Sequence, residues 1–136
     1  MNDRKAKWVM PFDAMNNTAA PDSVLDIVTL RSAMADDDEL VAEILTVFVS
    51  EIPGMLNELR QAADSLDNQK LEHAAHSIKG ACANIRAEKA RQLALDFEMD
   101  ARQNQIKDVP AQVATMEAAM EEIHQAIAKT IDIPSS

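Results

Sequence analysis

The feature that most constrains the fold of this chain is a long apolar stripe with helical spacing. Side chains three or four residues apart share one face of an α-helix, so such a stripe predicts a helix that buries this face. Pro53 lies inside the stripe, where it removes one backbone hydrogen bond and clashes with the carbonyl group of Val49. The apolar register continues past this residue, so we expect a kink and not an end. The stripe consists of Val41, Leu45, Phe48, Ile52, Met55, Leu59, Ala62 and Leu66.

Polar residues and one proline mark where the predicted helices begin. An aspartate side chain can accept hydrogen bonds from the first free amide groups of a helix. Asp26 can therefore open a short helix, and Asp67 can open the helix that follows the long one. Asp36, with Glu39 three residues later, resembles an acidic capping box at the start of the long helix. Pro110 suits the first turn of the last helix, because its missing N–H would have no partner there.

Three further apolar stripes complete a helical bundle. The chain has only two glycines among its 136 residues, which leaves little turn material for a many-stranded sheet. Short polar connections between long amphipathic helices favour antiparallel neighbours. We therefore predict an all-α fold, an up-and-down antiparallel four-helix bundle with a short additional N-terminal helix. The stripes are Leu71, Ala75, Ile78, Cys82 and Ile85 in the third helix, Ala90, Leu93, Ala94, Phe97 and Ala101 in the fourth, at about 87–104, and Val113, Met116, Met120, Ile123 and Ile127 in the fifth.

The predicted bundle occupies residues 23–130, and short segments flank it. Residues 1–22 show no sustained periodicity and are punctuated by prolines, so we interpret them as a tail or docking segment. Trp8 and Phe12 in this segment could dock on the bundle or form an exposed apolar end, and the sequence does not choose between these. Residues 131–136 are predicted to form a C-terminal tail.

Charge and cysteine content narrow the class of partner and the compartment. The net charge of −10 disfavours nucleic acids and anionic membranes, both of which present negative charge. No apolar run approaches the roughly 20 residues that a membrane-spanning helix needs. Cys82 is the single cysteine, so no internal disulfide can form, which suits a reducing compartment. We therefore expect a cytoplasmic protein, with Cys82 as a small apolar side chain in its buried stripe.

The third helix carries His76, Lys79 and Gly80 on or near its outward side. At roughly 100° per residue, His76 lies about 140° and Gly80 about 180° from the buried stripe. The pattern therefore predicts an exposed imidazole on a rigid helix. A glycine in mid-helix costs about 1 kcal/mol relative to alanine, and the room that it leaves for a partner beside His76 would offset this cost.

An exposed imidazole beside an ammonium group suits transient phosphorylation. Histidine titrates near neutral pH, so its neutral, nucleophilic form is available there. Lys79 can pair with phosphoryl oxygens, and phosphoryl transfer requires little beyond positioning and charge stabilisation. The sequence has no glycine-rich phosphate loop, so it lacks the usual feature for binding a nucleotide.

The stretch AHSIKGACANI, Ala75 to Ile85, resembles the His-x-x-Lys-Gly signature of the histidine-containing phosphotransfer (HPt) domain family. The upstream stretch FVSEIPGMLNEL and the downstream FEMDAR are similar to the family in spacing, and the resemblance covers about residues 25–128. One departure is Arg86, where many members have a glycine that closes the helix. A left-handed conformation at Arg86 would be strained by about 1 kcal/mol, and an alternative turn is equally possible.

The resemblance implies a phosphocarrier of a multistep two-component phosphorelay. His76 would accept a phosphoryl group from the aspartate of one receiver domain and pass it to another, with Lys79 as electrostatic helper and Gly80 as clearance for the partner. The receiver would bring Mg²⁺, so the chain would need no cofactor or metal of its own and would have no kinase activity. We expect a monomer whose partners are receiver domains and a hybrid sensor histidine kinase. The predicted docking residues around His76 are Glu72, His73, Ala83 and Asn84.

Two other functions fit parts of the sequence. A helical adaptor could dock a receiver or kinase on the same surface without accepting phosphate. A metal-binding or di-iron bundle could use His73 and His76, or the pair Glu121-x-x-His124, which matches half of the carboxylate-bridge motif. That motif needs a second copy and two more inward glutamates, which the sequence does not provide. We therefore rank the phosphocarrier first, the adaptor second and the metal site third.

Overall fold

The predicted all-α fold is present in the computed structural model, which describes residues 7–8 and 24–132. In chain order the elements are β1 (Lys7–Trp8), α1 (Ile27–Ala33), α2 (Asp38–Ser65), α3 (Asn68–Asn84), α4 (Glu88–Arg102), α5 (Val109–Thr130) and β2 (Ile131–Asp132). The two short strands form a minimal antiparallel pair, with Lys7 opposite Asp132 and Trp8 opposite Ile131. The short first helix and the four long ones confirm the predicted fold class.

Most of the predicted N-terminal segment 1–22, and the tail beyond residue 132, lie outside the described residues. The structure therefore does not test the two alternatives for the side chains of Trp8 and Phe12, and the division of the chain into a bundle and two flanking segments stays a prediction. Among the described helices, none combines the length and the apolar character that crossing a membrane requires.

The four long helices form a closed ring in which each helix has two neighbours. Helix α2 packs against α3 and α5, and α4 packs against the same two helices. The connections between consecutive helices are residues 66–67, 85–87 and 103–108. Helices joined by such short turns run antiparallel, so the bundle is up-and-down, as predicted.

The core between these helices is almost entirely aliphatic, and most of the predicted stripes are buried. All five stripe residues of α3 are buried, and those of α4 and α5 are buried apart from the half-buried Leu93. Helix α2 continues through Pro53, which confirms that this residue does not end it.

The stripe of α2 differs from the prediction at two positions. Leu56 is buried, whereas Met55 is only half-buried. Leu56 follows Ile52 by four residues and precedes Leu59 by three, so it satisfies the helical spacing as well as Met55 does. Leu66 is 74% exposed. It ends α2 in a left-handed conformation, with φ of 52°, and so leaves the helical face that the stripe occupies.

Asp26 and Asp67 begin α1 and α3, as predicted. The Asp26 carboxylate accepts a hydrogen bond of 3.0 Å from the amide of Thr29. The Asp67 carboxylate accepts from the amides of Gln69 at 3.0 Å and Lys70 at 3.2 Å. These bonds satisfy amide groups that the first turn of a helix leaves free.

The predicted capping box at Asp36 is wrong, and the long helix begins one residue later. Asp37 caps α2 and accepts a hydrogen bond of 3.1 Å from the amide of Leu40. Asp36 instead belongs to the turn that closes α1, because its amide donates to the carbonyl of Arg31 at 2.8 Å. Both Ala35 and Asp36 adopt positive φ, 55° and 59°, so neither has the extended conformation that a capping residue uses.

Arg86 adopts the left-handed conformation that the sequence left open, with φ of 63°. Its turn ends α3 at Asn84, and the amide of Ala87 donates to the carbonyl of Cys82 at 2.9 Å. The Arg86 carbonyl accepts from the amide of Asp26 at 3.1 Å, which attaches the start of α1 to this turn. The turn therefore places a strained residue where glycine would fit without strain.

Candidate functional site

The structure places His76 on the outward side of α3, near the middle of the helix. Its side chain is 61% exposed. Within the described part of the chain, the only hydrogen bond of the ring is the contact of Nδ1 with Glu98 Oε2, at 2.8 Å. This leaves Nε2 without a hydrogen-bond partner among the described residues.

Glu98 is the centre of the site, and sequence reasoning assigned it no role. It lies on α4, and only 3% of its side chain is exposed. Besides His76, it contacts the Lys79 ammonium group, whose Nζ lies 2.7 Å from Oε1. Arg102, one turn further along α4, places Nη2 3.2 Å from Oε2. Three donor side chains from two helices therefore converge on one buried carboxylate.

The Glu98 carboxylate stays charged in spite of its burial. Burial alone raises the pKa of a carboxyl group, because the charged form loses its hydration. The contacts with Lys79 and His76 outweigh this effect, so the pKa of Glu98 lies below its usual value. Oε1 has no hydrogen bond of good geometry, and its compensation is the ion pair with Lys79.

The charge of Glu98 fixes which nitrogen of the neutral His76 ring carries the proton. A carboxylate can only accept hydrogen bonds, so His76 Nδ1 must be the donor in their 2.8 Å contact. The neutral ring then carries its proton on Nδ1 and its lone pair on Nε2. The outward nitrogen is therefore the nucleophilic one.

Gly80 and its neighbours keep the surface beside His76 low. A β-carbon built on Gly80 would meet nothing within 4 Å, so this part of the helix is open to solvent. Asn84 is exposed, and Ala83 is half-buried. The structure thus agrees with a shallow surface of small side chains next to the imidazole.

The predicted docking residues lie on both sides of His76. Toward α4, Glu72 accepts a hydrogen bond of 2.8 Å from Arg102 Nε, so it supports the cluster around Glu98. Toward α2, the exposed His73 lines a polar groove with Gln61 and other residues. Glu72 is therefore engaged within the protein, while His73 is available at the surface.

An apolar groove between α2 and α3 extends from the same surface. Two exposed apolar side chains of α2, Leu40 and Val47, line it, with 38% and 50% of each residue accessible. Ala81 and Asn84 of α3 form its other wall. Because Ala81 directly follows Gly80 and Asn84 lies one turn after Gly80 in the helix, the groove continues the surface around His76.

The described residues give no support to the metal-site interpretation. No group of three or more His, Cys, Asp or Glu side chains in the described part of the chain could hold a metal ion. Glu121 and His124 approach each other to 3.9 Å, as a pair one turn apart. Burial raises the pKa of the Cys82 thiol to about 12, which suits a core side chain and not a metal-binding thiolate.

Comparison with known proteins identifies the family. The Hpt domain model matches residues 43–126, which is more than half of the chain. The chain belongs to the Hpt domain family. Among solved structures, it is similar to histidine-containing phosphotransfer protein B (HptB) from Pseudomonas aeruginosa PAO1, with 28% identity and a TM-score of 0.69. The match covers 81% of this chain and 94% of HptB. No match was found among curated proteins.

Membership of this family confirms the recognised resemblance and supports a phosphotransfer carrier in a phosphorelay. Hpt domains exchange phosphoryl groups with receiver domains and kinases.

Proposed function

We propose that this protein is a phosphocarrier that accepts a phosphoryl group on Nε2 of His76 from a receiver-domain aspartate and passes it to another receiver. The observation that carries this proposal is the contact of His76 Nδ1 with the buried Glu98 carboxylate, at 2.8 Å. It directs the proton to one nitrogen and the lone pair to the other, which is the outward one. A histidine on an ordinary solvated surface would have neither a fixed ring nor a fixed tautomer.

Lys79 is proposed to neutralise charge on the phosphoryl group as it arrives. Its side chain is only 25% exposed and is held by Glu98 at 2.7 Å, so the ammonium group is positioned before a partner binds. An ammonium group has three donors. It can therefore keep its contact with Glu98 and still donate a hydrogen bond to a phosphoryl oxygen.

The partner surface is proposed to consist of the open area at Gly80, the docking residues Glu72, His73, Ala83 and Asn84, and the apolar groove beside them. The proposed occupant is a receiver domain, because the groove is continuous with the surface around His76. An apolar groove next to a polar reaction site is the usual anatomy of a protein interface.

The receiver is proposed to supply the Mg²⁺ and most of the stabilisation of charge during transfer. Both glycines of the chain, Gly54 and Gly80, lie inside helices, so no glycine-rich loop is present to hold a nucleotide. The proposal therefore includes no kinase activity, no cofactor and no metal of the chain's own. A monomer located in the cytoplasm is part of the same proposal.

The direct test is transfer from phosphorylated receiver domains in the presence of Mg²⁺, with several receivers tried. We expect a phosphate on the chain that is acid-labile and alkali-stable, and that is lost in His76→Gln. His124→Gln is a matched control, because that histidine is also partly exposed and lies on another helix. Binding of a receiver without labelling would favour the non-transferring adaptor, and labelling that persists in His76→Gln would place the phosphate elsewhere.

A further inference from the structure

We infer that Glu98 keeps the Nδ1 proton on His76 throughout the transfer cycle, so that the phosphorylated ring is a phosphoimidazolium held by a carboxylate. This inference rests on the proposed function, and concerns the chemical form of the carried group. It follows from the position of Glu98, which contacts the nitrogen opposite the one that would carry phosphorus.

The first argument is the geometry of the contact. Glu98 Oε2 lies 2.8 Å from His76 Nδ1. The Glu98 side chain is only 3% exposed, so water competes little for the carboxylate end of this hydrogen bond. An opposite charge within about 4–6 Å of a titratable group favours the charged form of that group. The contact is therefore stronger with the protonated ring than with the neutral ring, and it favours retention of the proton.

The second argument is the arrangement of the other charges. The nearby cations, Lys79 and Arg102, oppose a positive ring, but each is already paired with a carboxylate. Among the described residues, only Glu98 makes a hydrogen bond or an ion pair with the ring. The charged and titratable groups near His76 are Glu98 and Arg102 from α4 and Lys79, Glu72 and His73 from α3. The groove that His73 lines adds Lys70 from α3 and Glu58 from α2.

The transfer step then balances without any proton movement. The Nε2 lone pair forms the N–P bond, the P–O bond of the aspartyl phosphate breaks, and its electron pair leaves on the aspartate carboxylate. The ring becomes positive and keeps its Nδ1 proton, facing Glu98. In the second transfer, a carboxylate oxygen of the accepting receiver's aspartate forms a new P–O bond. The N–P bond breaks, its electron pair returns to Nε2, and the ring leaves as neutral imidazole.

The retained proton has a measurable consequence for the lifetime of the phosphate. Neutral imidazole is a far better leaving group than the imidazolate that an unprotonated ring would release, so the N–P bond breaks mainly from the protonated form. Glu98 should therefore extend rapid N–P cleavage to higher pH. Replacing the carboxylate by an amide keeps an acceptor at Nδ1 but removes the charge.

The experiment uses phosphoramidate as a small phosphodonor, which makes labelling independent of any receiver. His73 and His124 are both replaced by glutamine, so that His76 is the remaining histidine of three. Hydrolysis of the phosphate is then followed from about pH 5 to 10, with and without Glu98→Gln. Glu121→Gln is the matched control, because it removes the same charge from an exposed carboxylate on α5.

We expect Glu98→Gln to lower the midpoint of the hydrolysis profile by about one pH unit, which is a tenfold loss of proton affinity. At pH values above both midpoints, the phosphate on Glu98→Gln should hydrolyse about tenfold more slowly than that on the parent. At acid pH the two rates should be equal. The profile of Glu121→Gln should match that of the parent at every pH. Coincident profiles for Glu98→Gln and the parent would overturn the inference.

A second measurement does not depend on a folded variant. The ¹⁵N chemical shifts of the phosphorylated ring in the otherwise unchanged chain should report a protonated Nδ1 at pH 8. A ring that has lost this proton by pH 7 would refute the inference even if Glu98→Gln does not fold. Failure of receivers to label His76 would instead contradict the proposed function, so the two failures are distinguishable.

Discussion

Replacing Gly80 by alanine should stabilise the protein and slow its phosphotransfer. Gly80 lies inside α3, where alanine is favoured over glycine by about 1 kcal/mol. The added methyl group meets nothing within 4 Å, so no steric cost within the protein opposes this gain. For the roughly 110 residues that the structure describes, the entropy of unfolding is about 0.23 kcal/mol/K, so the expected rise in Tm is about 4 °C.

The expected loss of transfer has a separate physical origin. If a receiver packs its backbone or a loop against Gly80, the methyl group occupies space that the partner needs. Overpacking of a fitted surface typically costs about 1–3 kcal/mol. A cost near 1.4 kcal/mol corresponds to a tenfold lower second-order rate constant for transfer from the phosphorylated receiver.

Gly54→Ala provides the matched control for this prediction. Gly54 lies inside α2, and a β-carbon built on it also meets nothing within 4 Å. Both variants should therefore raise Tm by a similar amount in thermal unfolding followed by circular dichroism. Only Gly80→Ala should slow transfer, and equal transfer rates in the two variants would refute the clearance role of Gly80.

Three further predictions follow from the contacts of the site and its adjoining turn. Lys79→Ala leaves Glu98 Oε1 without its ion pair, so it should slow transfer and lower the free energy of unfolding in urea by about 1–3 kcal/mol. Because the pKa of Glu98 is lowered on folding, its stabilisation exists above the unfolded pKa of about 4.3 and is lost as pH falls through the folded value. Between pH 7 and about pH 3, the free energy of unfolding in urea should thus fall more in the parent than in Glu98→Gln. An equal fall in the two proteins would contradict this. Arg86→Gly should relieve up to about 1 kcal/mol of left-handed strain and should therefore raise Tm. A lower Tm would show that no strain is relieved.

Periodicity and capping chemistry were sufficient to predict the bundle from the sequence. Both are local properties, since spacing sets the buried face and a polar side chain satisfies amides within one turn. The errors are local as well. Ala35 and Asp36 have positive φ and form a turn that the sequence pattern could not distinguish from a helix start. Leu66 is apolar, but it ends α2 in a left-handed conformation and does not lie on the buried face.

The exposed half of the site was predictable and the buried half was missed. His76, Lys79 and Gly80 lie within one turn or so of α3, so their relation to one another is fixed by the helix. Glu98 is 22 residues from His76, and only packing of α3 on α4 brings them together. One signal was present: Glu98 follows the buried Ala94 by four residues and therefore lies on the inward face of α4.

A buried charge at this position is best understood as part of the chemistry. The chain carries a net charge of −10, which opposes the arrival of a phosphoryl dianion, yet the closest groups decide the local potential because remote charges are screened. An apolar residue in place of Glu98 would avoid the desolvation of a carboxylate, but it would leave Lys79 and the His76 ring without their common partner. A neutral amide would orient the ring without stabilising its positive form. A carboxylate is therefore the side chain that would orient the proposed nucleophile, position the ammonium group and compensate the charge that the ring would acquire on the proposed phosphorylation.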